Sequence, residues 1–280
     1  MLALNKKKVE VNKFPDGTFR FEKISGIEYG LNTIIWNYEK EEELVQLMYL
    51  TMHLKNNNCN QIQLVLPYVP NARMDRTKDS EEVFTLKYFC EIINSLGFKK
   101  VIITDPHSYV TPALIDKVEI LDYKNFITRL YEALKRQFTK DNLDIDNLMF
   151  FFPDEGARKR YGIFAIGEHA YGEKDRDWST GKINGLILHG ADVKDKNIVI
   201  IDDICSRGGT FYHSAKALKE AGANKIYLYV THCENTILEG EVLTSGLIEK
   251  VFTTGSIFTK EHDKVEIIDD VFGTIFTKES

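Results

Sequence analysis

The 280-residue sequence has no apolar run near the roughly 18–20 residues that cross a bilayer. Its first ten residues, MLALNKKKVE, lack the apolar core of a signal peptide. Its four cysteines share no CxxC or CxxH spacing, which argues against a zinc site and against a disulfide scaffold. These features predict a reduced, cytosolic protein that does not bind membranes.

An excess of positive charge is also missing. Lys and Arg number 36 against 42 Asp and Glu, and the net charge of −6 argues against a nucleic-acid-binding protein. The negative net charge does not exclude a small anionic ligand, because backbone amides, metals and a few cations are enough to bind one. The composition is ordinary for a globular protein, and the length predicts about two domains of roughly 100–150 residues.

Short apolar runs alternate with helical patterns along most of the chain. The runs are rich in β-branched and aromatic residues, as in strands buried on both faces of a parallel sheet. The pattern therefore predicts a doubly wound α/β fold, preceded by a β-hairpin around Phe14–Gly17. The predicted strands are Ile62–Leu66, Val101–Thr104, Leu148–Phe152, Gly162–Ile166, Leu186–Leu188, Ile198–Ile201 and Ile226–Val230. The predicted helices are Glu39–Asn56, Glu81–Leu96, Phe126–Phe138, Thr210–Ala221 and Asn235–Thr244.

Two segments of the chain resemble each other at a constant offset of 125 residues. Residues 95–107 and 220–232 both read as a helix end, a glycine, a lysine that enters a strand, and a histidine just past the strand. Chance similarity between two βαβ units is the alternative. A true repeat predicts two related α/β domains joined at the polar stretch Thr139–Asn147.

The segment from Ile198 to Thr210, IVIIDDICSRGGT, is the most informative part of the sequence. A buried strand leads into Asp202 and Asp203, and a Ser-Arg-Gly-Gly-Thr loop then opens an amphipathic helix. Ligands of open α/β sheets bind at the carboxyl ends of strands, and glycine amides at a helix N-terminus favour phosphate. The segment lacks the lysine and spacing of a Walker A loop. It predicts carboxylates on ribose hydroxyls and amides on a 5-phosphate, with an acid-capped strand–turn–helix corner as the alternative.

Residues 198–210 resemble the phosphoribosyl-diphosphate-binding signature of type I phosphoribosyltransferase folds. Four further segments resemble ribose-phosphate pyrophosphokinases, in that family's order along the chain: Phe14–Thr18, Leu66–Arg76, Thr104–His107 and Pro153–Ala157. The resemblance implies two tandem phosphoribosyltransferase-like domains, each a mainly parallel sheet flanked by helices. The first, at 1–143, would carry the ATP and metal segments, and the second, at 144–280, the ribose-phosphate loop and a flexible catalytic loop.

The resemblance also implies an activity. A ribose-phosphate diphosphokinase transfers the diphosphoryl group of ATP to O1 of ribose 5-phosphate, which gives 5-phosphoribosyl 1-diphosphate and AMP. Such a transfer depends on positioning, on Mg²⁺ and on cations more than on a covalent nucleophile. In the family the counterpart of Phe14 comes from a neighbouring subunit, so the resemblance implies a homo-oligomer, either a dimer or a hexamer.

The family's functional residues map onto the matching motifs of this sequence. The implied catalytic pair is Lys174 and Arg176, in the polar stretch Gly172–Gly181, where it would stabilise charge on the transferring group. The implied metal ligands are His107 and Asp154. The residues implied to bind ribose 5-phosphate are Asp202, Asp203, Cys205, Ser206, Arg207, Gly208, Gly209 and Thr210. The residues implied to bind ATP are Phe14, Asp16, Arg73, Met74, Asp75 and Arg76, with Phe14 and Arg73 able to sandwich the base.

Several of these residues have a simpler interpretation. A Lys-Asp-Arg tripeptide is commonly a solvated charged loop, and a lone histidine such as His107 is commonly structural. The basic run Arg158–Arg160 is either a solvated helix face or a set of phosphate contacts.

The sequence departs from the family at three places. Met74 stands where the family usually has glutamine, Thr18 replaces the usual acid, and the sugar-phosphate loop reads Cys-Ser-Arg-Gly-Gly-Thr in place of Asp-Thr-Ala-Gly-Thr. Arg207 in this loop either adds charge toward a phosphate or points to solvent. The nucleotide preference is therefore less determined than the reaction class.

Two other functions compete with the synthetase. A phosphoribosyltransferase that consumes phosphoribosyl diphosphate would share residues 198–210, but it would leave the Phe14–Thr18 and Arg73–Arg76 segments and the repeat unexplained. A non-catalytic, synthetase-associated subunit would not be expected to retain the charged site residues, which are Lys174, Arg176, His107 and Asp154.

Overall fold

A computed structural model of the chain describes residues 1–121, 123–165, 167–176 and 183–269, with the backbone alone at 123–124, 174–176 and 183–185. The chain divides into two compact units, Met1–Asp122 and Tyr123–Ser280. Each unit contains one large sheet, and within each sheet most neighbouring strands are parallel. The predicted α/β class is therefore confirmed. None of the described helices is long and apolar enough to span a membrane.

The first unit is built on a six-stranded sheet with a separate two-stranded ribbon. Its strands are β1 (Leu2–Leu4), β2 (Lys7–Lys8), β3 (Val11–Lys13), β4 (Phe19–Phe21), β5 (Asn32–Trp36), β6 (Ile62–Leu66), β7 (Lys100–Ile103) and β8 (Val118–Ile120). Its helices are α1 (Glu43–Asn56), α2 (Thr85–Ser95) and α3 (Val110–Leu114). The sheet order is β2-β1-β5-β6-β7-β8, in which β5 to β8 are parallel and β1 and β2 are antiparallel additions. The predicted hairpin is the ribbon of β3 and β4.

The second unit is built on a seven-stranded sheet. Its strands are β9 (Leu148–Phe152), β10 (His169–Arg176), β11 (Ile183–Gly190), β12 (Asn197–Cys205), β13 (Ile226–Cys233), β14 (Lys250–Thr254) and β15 (Val265–Asp269). Its helices are α4 (Tyr123–Lys140), α5 (Glu155–Tyr161), α6 (Gly209–Glu220) and α7 (Glu241–Thr244). The order is β11-β10-β9-β12-β13-β14-β15, and among the described strand pairs of this sheet only β10–β11 is antiparallel.

The central strands form because their side chains are apolar on both faces. Every residue of β5, β6 and β13 is buried, which is the pattern of a strand covered by helices on both sides. Helix α2 instead alternates buried and exposed positions, with Leu86, Phe89 and Ile93 at helical spacing on its buried face. The same two patterns are what made most of these elements predictable.

Helix α4 belongs to the second unit, whereas the predicted boundary at 143/144 would leave it in the first. The ring of Phe138 lies 5.3 Å from that of Tyr227 in β13. On the same helix, Arg136 pairs with Glu266 of β15 at 3.1 Å. These contacts explain why the division precedes α4 and does not follow it.

Two predicted elements are wrong. The predicted strand Gly162–Ile166 is a 3-10 turn at Gly162–Phe164 that continues α5, and Ile163 is 84% exposed, so the run is not a buried strand. Ile166 itself lies outside the described residues. The predicted helix Asn235–Thr244 is two short pieces, a 3-10 turn at Asn235–Glu239 and then α7, because the backbone of Gly240 is extended between them.

The structure also contains elements that the prediction omits. They are the strands β1, β2, β5, β8, β10, β14 and β15 and the helices α3 and α5. Most of them are short, and a three-residue strand such as β8 carries too few residues to show a period. Strand β5 is not explained by length or exposure, because it has five residues and all of them are buried.

The two members of the internal repeat have the same backbone turn. Helix α2 is followed by Gly97 with φ +61°, and α6 is followed by Gly222 with φ +90°, so both glycines are left-handed and both precede the next strand. The repeat differs at its histidines. His107 follows β7, as expected, but His232 is buried inside β13 and its Nδ1 lies 2.9 Å from Ser256 Oγ.

We expect Gly222→Ala to destabilise the protein by about 1 kcal/mol, because the left-handed backbone disfavours a Cβ atom. The added Cβ would meet nothing closer than Lys194 Cγ at 3.3 Å, so backbone strain is the main cost. Urea denaturation followed by circular dichroism measures the change. The control is Gly162→Ala, whose φ is −58° and whose Cβ would have only Arg158 Cγ at 3.9 Å. Equal stability of the two variants would contradict the prediction.

Candidate active site

The carboxyl ends of three parallel strands, β9, β12 and β13, meet at one edge of the second sheet. Asp202 and Asp203 lie on the central strand of the three. The strand continues past them to Cys205, and Asp202 pairs with Val230 of β13. The sequence predicts that this strand ends at Ile201. In the structure it continues to Cys205, so both aspartates lie within the strand.

One guanidinium group binds both carboxylates. Arg160, near the end of α5, donates from Nη2 to Asp202 Oδ1 at 3.1 Å and to Asp203 Oδ1 at 2.7 Å. All three side chains are largely buried, with exposures of 13%, 15% and 3%. Asp203 also donates its backbone N–H to Asp202 Oδ1 at 2.9 Å. The paired aspartates therefore have a protein partner of their own.

The charges at this edge are not balanced for Asp202. Burial and the nearby carboxylates of Asp203 and Asp154 raise the pKa of Asp202 well above its usual range, and the charge of Arg160 opposes them only in part. The pKa of Arg160 is raised as well, because Tyr161 and the two aspartates outweigh the effect of its burial. An added cation, or hydroxyl groups that donate to the carboxylates, would stabilise this arrangement.

Asp154 lies at the start of α5, directly after β9. Its Oδ1 accepts the backbone N–H of Ala157 at 2.9 Å, which is an N-cap hydrogen bond. The cap fixes the direction of a helix only seven residues long, and that helix carries Arg160 to the aspartates. Asp154 thus has a structural role in addition to the metal ligation that the sequence implies.

The loop after β12 turns at Gly208. Its φ is +78°, and a Cβ there would lie 2.7 Å from Val242 Cγ1 and 3.4 Å from Cys205 Sγ, so only glycine fits. Helix α6 begins at the next residue, and Tyr212 donates its backbone N–H to the Gly208 carbonyl at 2.9 Å. The first amides of a helix have no partner within the helix. The N-terminus of α6 therefore has the properties of an anion-binding site.

The side chains of this loop differ in what they can contribute. Arg207 is exposed and forms an ion pair with Glu239 at 3.1 Å on the protein surface. Cys205 is buried in the apolar core of the unit. Ser206 is half-buried, whereas Gly209 and Thr210 are exposed.

The residues implied for ATP and metal lie in the first unit. The segment from Arg73 to Arg76 follows β6, and His107 follows β7. Because β6 and β7 are adjacent and parallel, both segments start from the same edge of that sheet. Arg73 and Arg76 are exposed, Met74 is 38% exposed, and Asp75 and His107 are half-buried.

Asp105, two residues before His107, is buried and has φ +40°. This left-handed backbone is costly for a non-glycine residue and occurs often at functional sites. The strain supports the interpretation of Thr104–His107 as a functional segment.

The β3–β4 ribbon presents Phe14 and Asp16 at its turn. Phe14 is 49% exposed. Asp16 accepts from the hydroxyl of Thr18 at 2.7 Å and from its backbone N–H at 3.0 Å, and these hydrogen bonds lower the pKa of Asp16. Thr18, which replaces an acid of the family, therefore holds the carboxylate beside it.

Lys174 and Arg176 lie on β10, with the backbone of Lys174 opposite Leu186 in β11. The sequence predicts a polar stretch between two strands at this place. That prediction is wrong for the backbone, because both residues belong to a strand. The register shifts between Asp175 and Arg176. The side chains of Lys174 and Arg176, and residues 177–182, lie outside the described residues.

The described residues contain no group of three or more His, Cys, Asp or Glu that could hold a metal ion by itself. Magnesium is commonly bound by one or two carboxylates together with substrate phosphates. The donor set around Asp154 and Asp202 consists of hard carboxylate oxygens whose mutual repulsion a cation would reduce. The chemistry of this edge fits Mg²⁺.

Sequence reasoning left the role of Arg160 undecided. The basic run Arg158–Arg160 divides in the structure, because Arg158 pairs with Glu155 at 2.7 Å on the same helix while Arg160 binds the two aspartates. The available signal was the position of Arg160, six residues after the strand-end Asp154 and just under two turns along the helix. Glu239, the partner of Arg207, had no signal in the sequence.

Comparison with known proteins gives one consistent result. Residues 1–97 match the family described as the N-terminal domain of ribose phosphate pyrophosphokinase. Residues 181–272 match the phosphoribosyl synthetase-associated domain.

Relatives and a solved structure agree with the family matches. The ribose-phosphate pyrophosphokinase of Chlorobaculum tepidum is 31% identical over 243 residues, which cover 83% of this chain and 71% of that protein. The protein of the same name from Sulfolobus acidocaldarius is 25% identical and is covered to 88% of its length by 94% of this chain. The crystal structure of phosphoribosylpyrophosphate synthetase from Mycobacterium smegmatis has the same fold, with a TM-score of 0.79 at 16% identity over 97% of this chain and 88% of that chain.

We expect Asp202→Asn to stabilise the folded protein at pH 8. The pKa of Asp202 is higher in the folded than in the unfolded chain, so the ionised carboxylate destabilises the fold as pH rises above the unfolded value of about 3.9. A gain of about 1 kcal/mol corresponds to an increase of roughly 2–4 °C in Tm. Thermal unfolding at pH 5 and pH 8 should show the larger gain at pH 8. The exposed Asp263→Asn is the control, and a lower Tm than the parent protein at pH 8 would refute the prediction.

We expect Gly208→Ala to destabilise the protein by roughly 2–4 kcal/mol, from the left-handed backbone and from overpacking against Val242. Adding Val242→Ala should recover the overpacking part and leave the backbone strain. A double-mutant cycle of urea denaturations measures the coupling between the two positions. Strictly additive effects would show that Val242 is not the source of the clash.

Proposed function

Because the chain belongs to the ribose-phosphate pyrophosphokinase family, we propose that it transfers the diphosphoryl group of ATP to O1 of ribose 5-phosphate. The products are 5-phosphoribosyl 1-diphosphate and AMP. One observation carries this proposal. Asp203, which is buried, and Asp202, which is half-buried, lie on a central strand that is followed by a left-handed Gly208 turn opening helix α6.

The second unit binds ribose 5-phosphate. Asp202 and Asp203 accept hydrogen bonds from the ribose hydroxyls, and the raised pKa of Asp202 makes such donors favourable. The amides from Ser206 to Thr210 bind the 5-phosphate, helped by the dipole of α6. Cys205 acts through its backbone alone, because its side chain is buried. Arg207 contributes its backbone too while Glu239 holds its guanidinium.

The first unit binds ATP. Arg73 stacks on one face of the adenine, and Phe14 of a neighbouring copy covers the other face. Asp16 makes the polar contact to the base. The segment that includes Met74, Asp75 and Arg76 continues along the nucleotide. The exposure of Phe14 at a turn supports a contact between copies of the chain, and hence a homo-oligomer.

His107 of the first unit and Asp154 of the second would each supply a protein ligand to Mg²⁺ that is bound to the phosphates of ATP. When bound, Mg²⁺ neutralises phosphate charge and orients the β-phosphorus. Arg160 keeps both aspartates in place, so that the ribose is held in one orientation for the transfer. Lys174 and Arg176 stabilise the charge that develops on the transferring group, and AMP leaves. The proposed location is the cytoplasm, where both substrates are available.

The test follows the label of β-³²P ATP in the presence of Mg²⁺ and ribose 5-phosphate. We expect AMP release that requires the sugar, and the label in the sugar product. The double variant Asp202→Asn, Asp203→Asn should lose activity by about 10²-fold or more, whereas Asp263→Asn should not. EDTA should stop the reaction. Release of ADP, or a nucleotide formed from a free base and phosphoribosyl diphosphate, would point to a different activity.

A further inference from the structure

Two of the four cysteines lie side by side at the edge described above. Cys205 is the last residue of β12 and Cys233 is the last residue of β13, and they are direct partners in the parallel register. Neither of them forms a disulfide in the structure, and both are buried. Neither thiol takes part in the reaction proposed for this site.

The spacing of the two residues suits a disulfide. Neighbouring strands lie about 4.7–4.9 Å apart, which is within the range of about 4.4–6.8 Å between Cα atoms in disulfides. A hydrogen bond from Glu234 N–H to the Cys205 carbonyl, at 2.8 Å, holds the two strand ends together.

The two side chains also point the same way. Directly paired residues of neighbouring strands lie on the same face of a sheet, and both cysteines belong to the same apolar cluster. Each thiol contacts the carbonyl oxygen of the residue after it, Ser206 at 3.3 Å and Glu234 at 3.7 Å. The two side chains therefore leave equivalent positions of adjacent strands on the same side of the sheet.

We propose that Cys205 and Cys233 form a site of oxidative modification, in which a small peroxide converts the two thiols into one disulfide. The thiolate of one cysteine attacks a peroxide oxygen, the O–O bond breaks, and a sulfenic acid and water result. The second thiolate then displaces the hydroxyl of the sulfenic acid as water and forms the S–S bond. Two thiols lose two electrons and two protons, and hydrogen peroxide becomes two water molecules.

The surroundings select the oxidant. The side chains of Cys205 and Cys233 are 1% and 0% exposed, so a bulky disulfide such as oxidised glutathione has no direct access. A small neutral peroxide reaches them when the strand ends open locally, which is where sheets open at the lowest cost. Burial in one apolar cluster then favours their reaction with each other over a mixed disulfide.

Oxidation would act on the loop that follows Cys205. Its Sγ lies 3.4 Å from the place where a Cβ on Gly208 would be, directly beneath the turn that opens α6. Drawing this sulfur toward Cys233 shifts the support of the turn. If the proposed function is correct, on which this consequence rests, the disulfide weakens the binding of ribose 5-phosphate.

The experiment treats the full-length protein with hydrogen peroxide, blocks remaining thiols with N-ethylmaleimide, and maps tryptic peptides by mass spectrometry. Cleavage after Lys196, Arg207, Lys225 and Lys250 gives peptides 197–207 and 226–250, each with one cysteine. We expect these two peptides joined, lighter by two hydrogen atoms than the separate pair, and separated again by dithiothreitol. The variant Cys233→Ala should give no joined peptide, and Cys90→Ala, the matched buried cysteine of the first unit, should give it undiminished.

Three results would overturn the proposal: four free thiols after oxidation, sulfinic acids at both positions without a joined peptide, or a link between two chains on a non-reducing gel. Circular dichroism checks that each variant is folded. The activity assay is a separate arm, in which the oxidised parent should need at least about fivefold more ribose 5-phosphate for half-maximal rate and Cys233→Ala should not change. A joined peptide without AMP release in any sample would preserve the disulfide and reject the proposed function.

Discussion

Three carboxylates and one guanidinium share the edge of the second sheet, and the arrangement of the site follows from their charge balance. Arg160 binds both Asp202 and Asp203, while Asp154 caps the helix that carries Arg160. The net charge of this group is negative, and burial together with the neighbouring carboxylates raises the pKa of Asp202. An edge of this kind is poised for ligands that donate hydrogen bonds or carry positive charge. The proposed ligands have these two properties, since ribose hydroxyls donate hydrogen bonds and Mg²⁺ carries positive charge.

The turn at Gly208 is the second constraint. Its left-handed backbone lets the chain reverse directly from the strand into α6, and Val242 closes the space where a side chain would be. At Gly240 an added Cβ would lie only 1.8 Å from the Arg207 carbonyl oxygen, so the loop is enclosed on that side as well. The amides at the start of α6 are thereby fixed in the absence of a ligand, which would lower the entropic cost of binding the proposed phosphate.

The departures from the family motif acquire physical meaning in this setting. Arg207 forms an ion pair with Glu239. Thr18, at a position where the family usually has an acid, donates a hydrogen bond to the carboxylate of Asp16. Cys205 supports the turn from within the apolar core and faces a second cysteine on the neighbouring strand. The loop therefore keeps the backbone geometry expected for phosphate binding while its side chains have acquired other contacts.

The sequence by itself determined the α/β class, the central strands and the order of the motifs. It could do so because strands buried on both faces and helices with one apolar face leave periods that are visible residue by residue, as in β6, β9 and α2. The left-handed glycines after α2 and α6 were equally visible, because few other residues tolerate that backbone.

Tertiary structure alone decided the rest. Ile163 lies in an apolar run that reads as a strand, yet the helix capped by Asp154 continues into it and leaves it exposed. Arg160 binds aspartates that are 42 and 43 residues away, and Cys205 faces Cys233 across a strand pair. Such partners are set by the register of the sheet and the direction of a capped helix. A local sequence pattern does not predict these partners, because side chains that meet across a sheet share no period in the sequence.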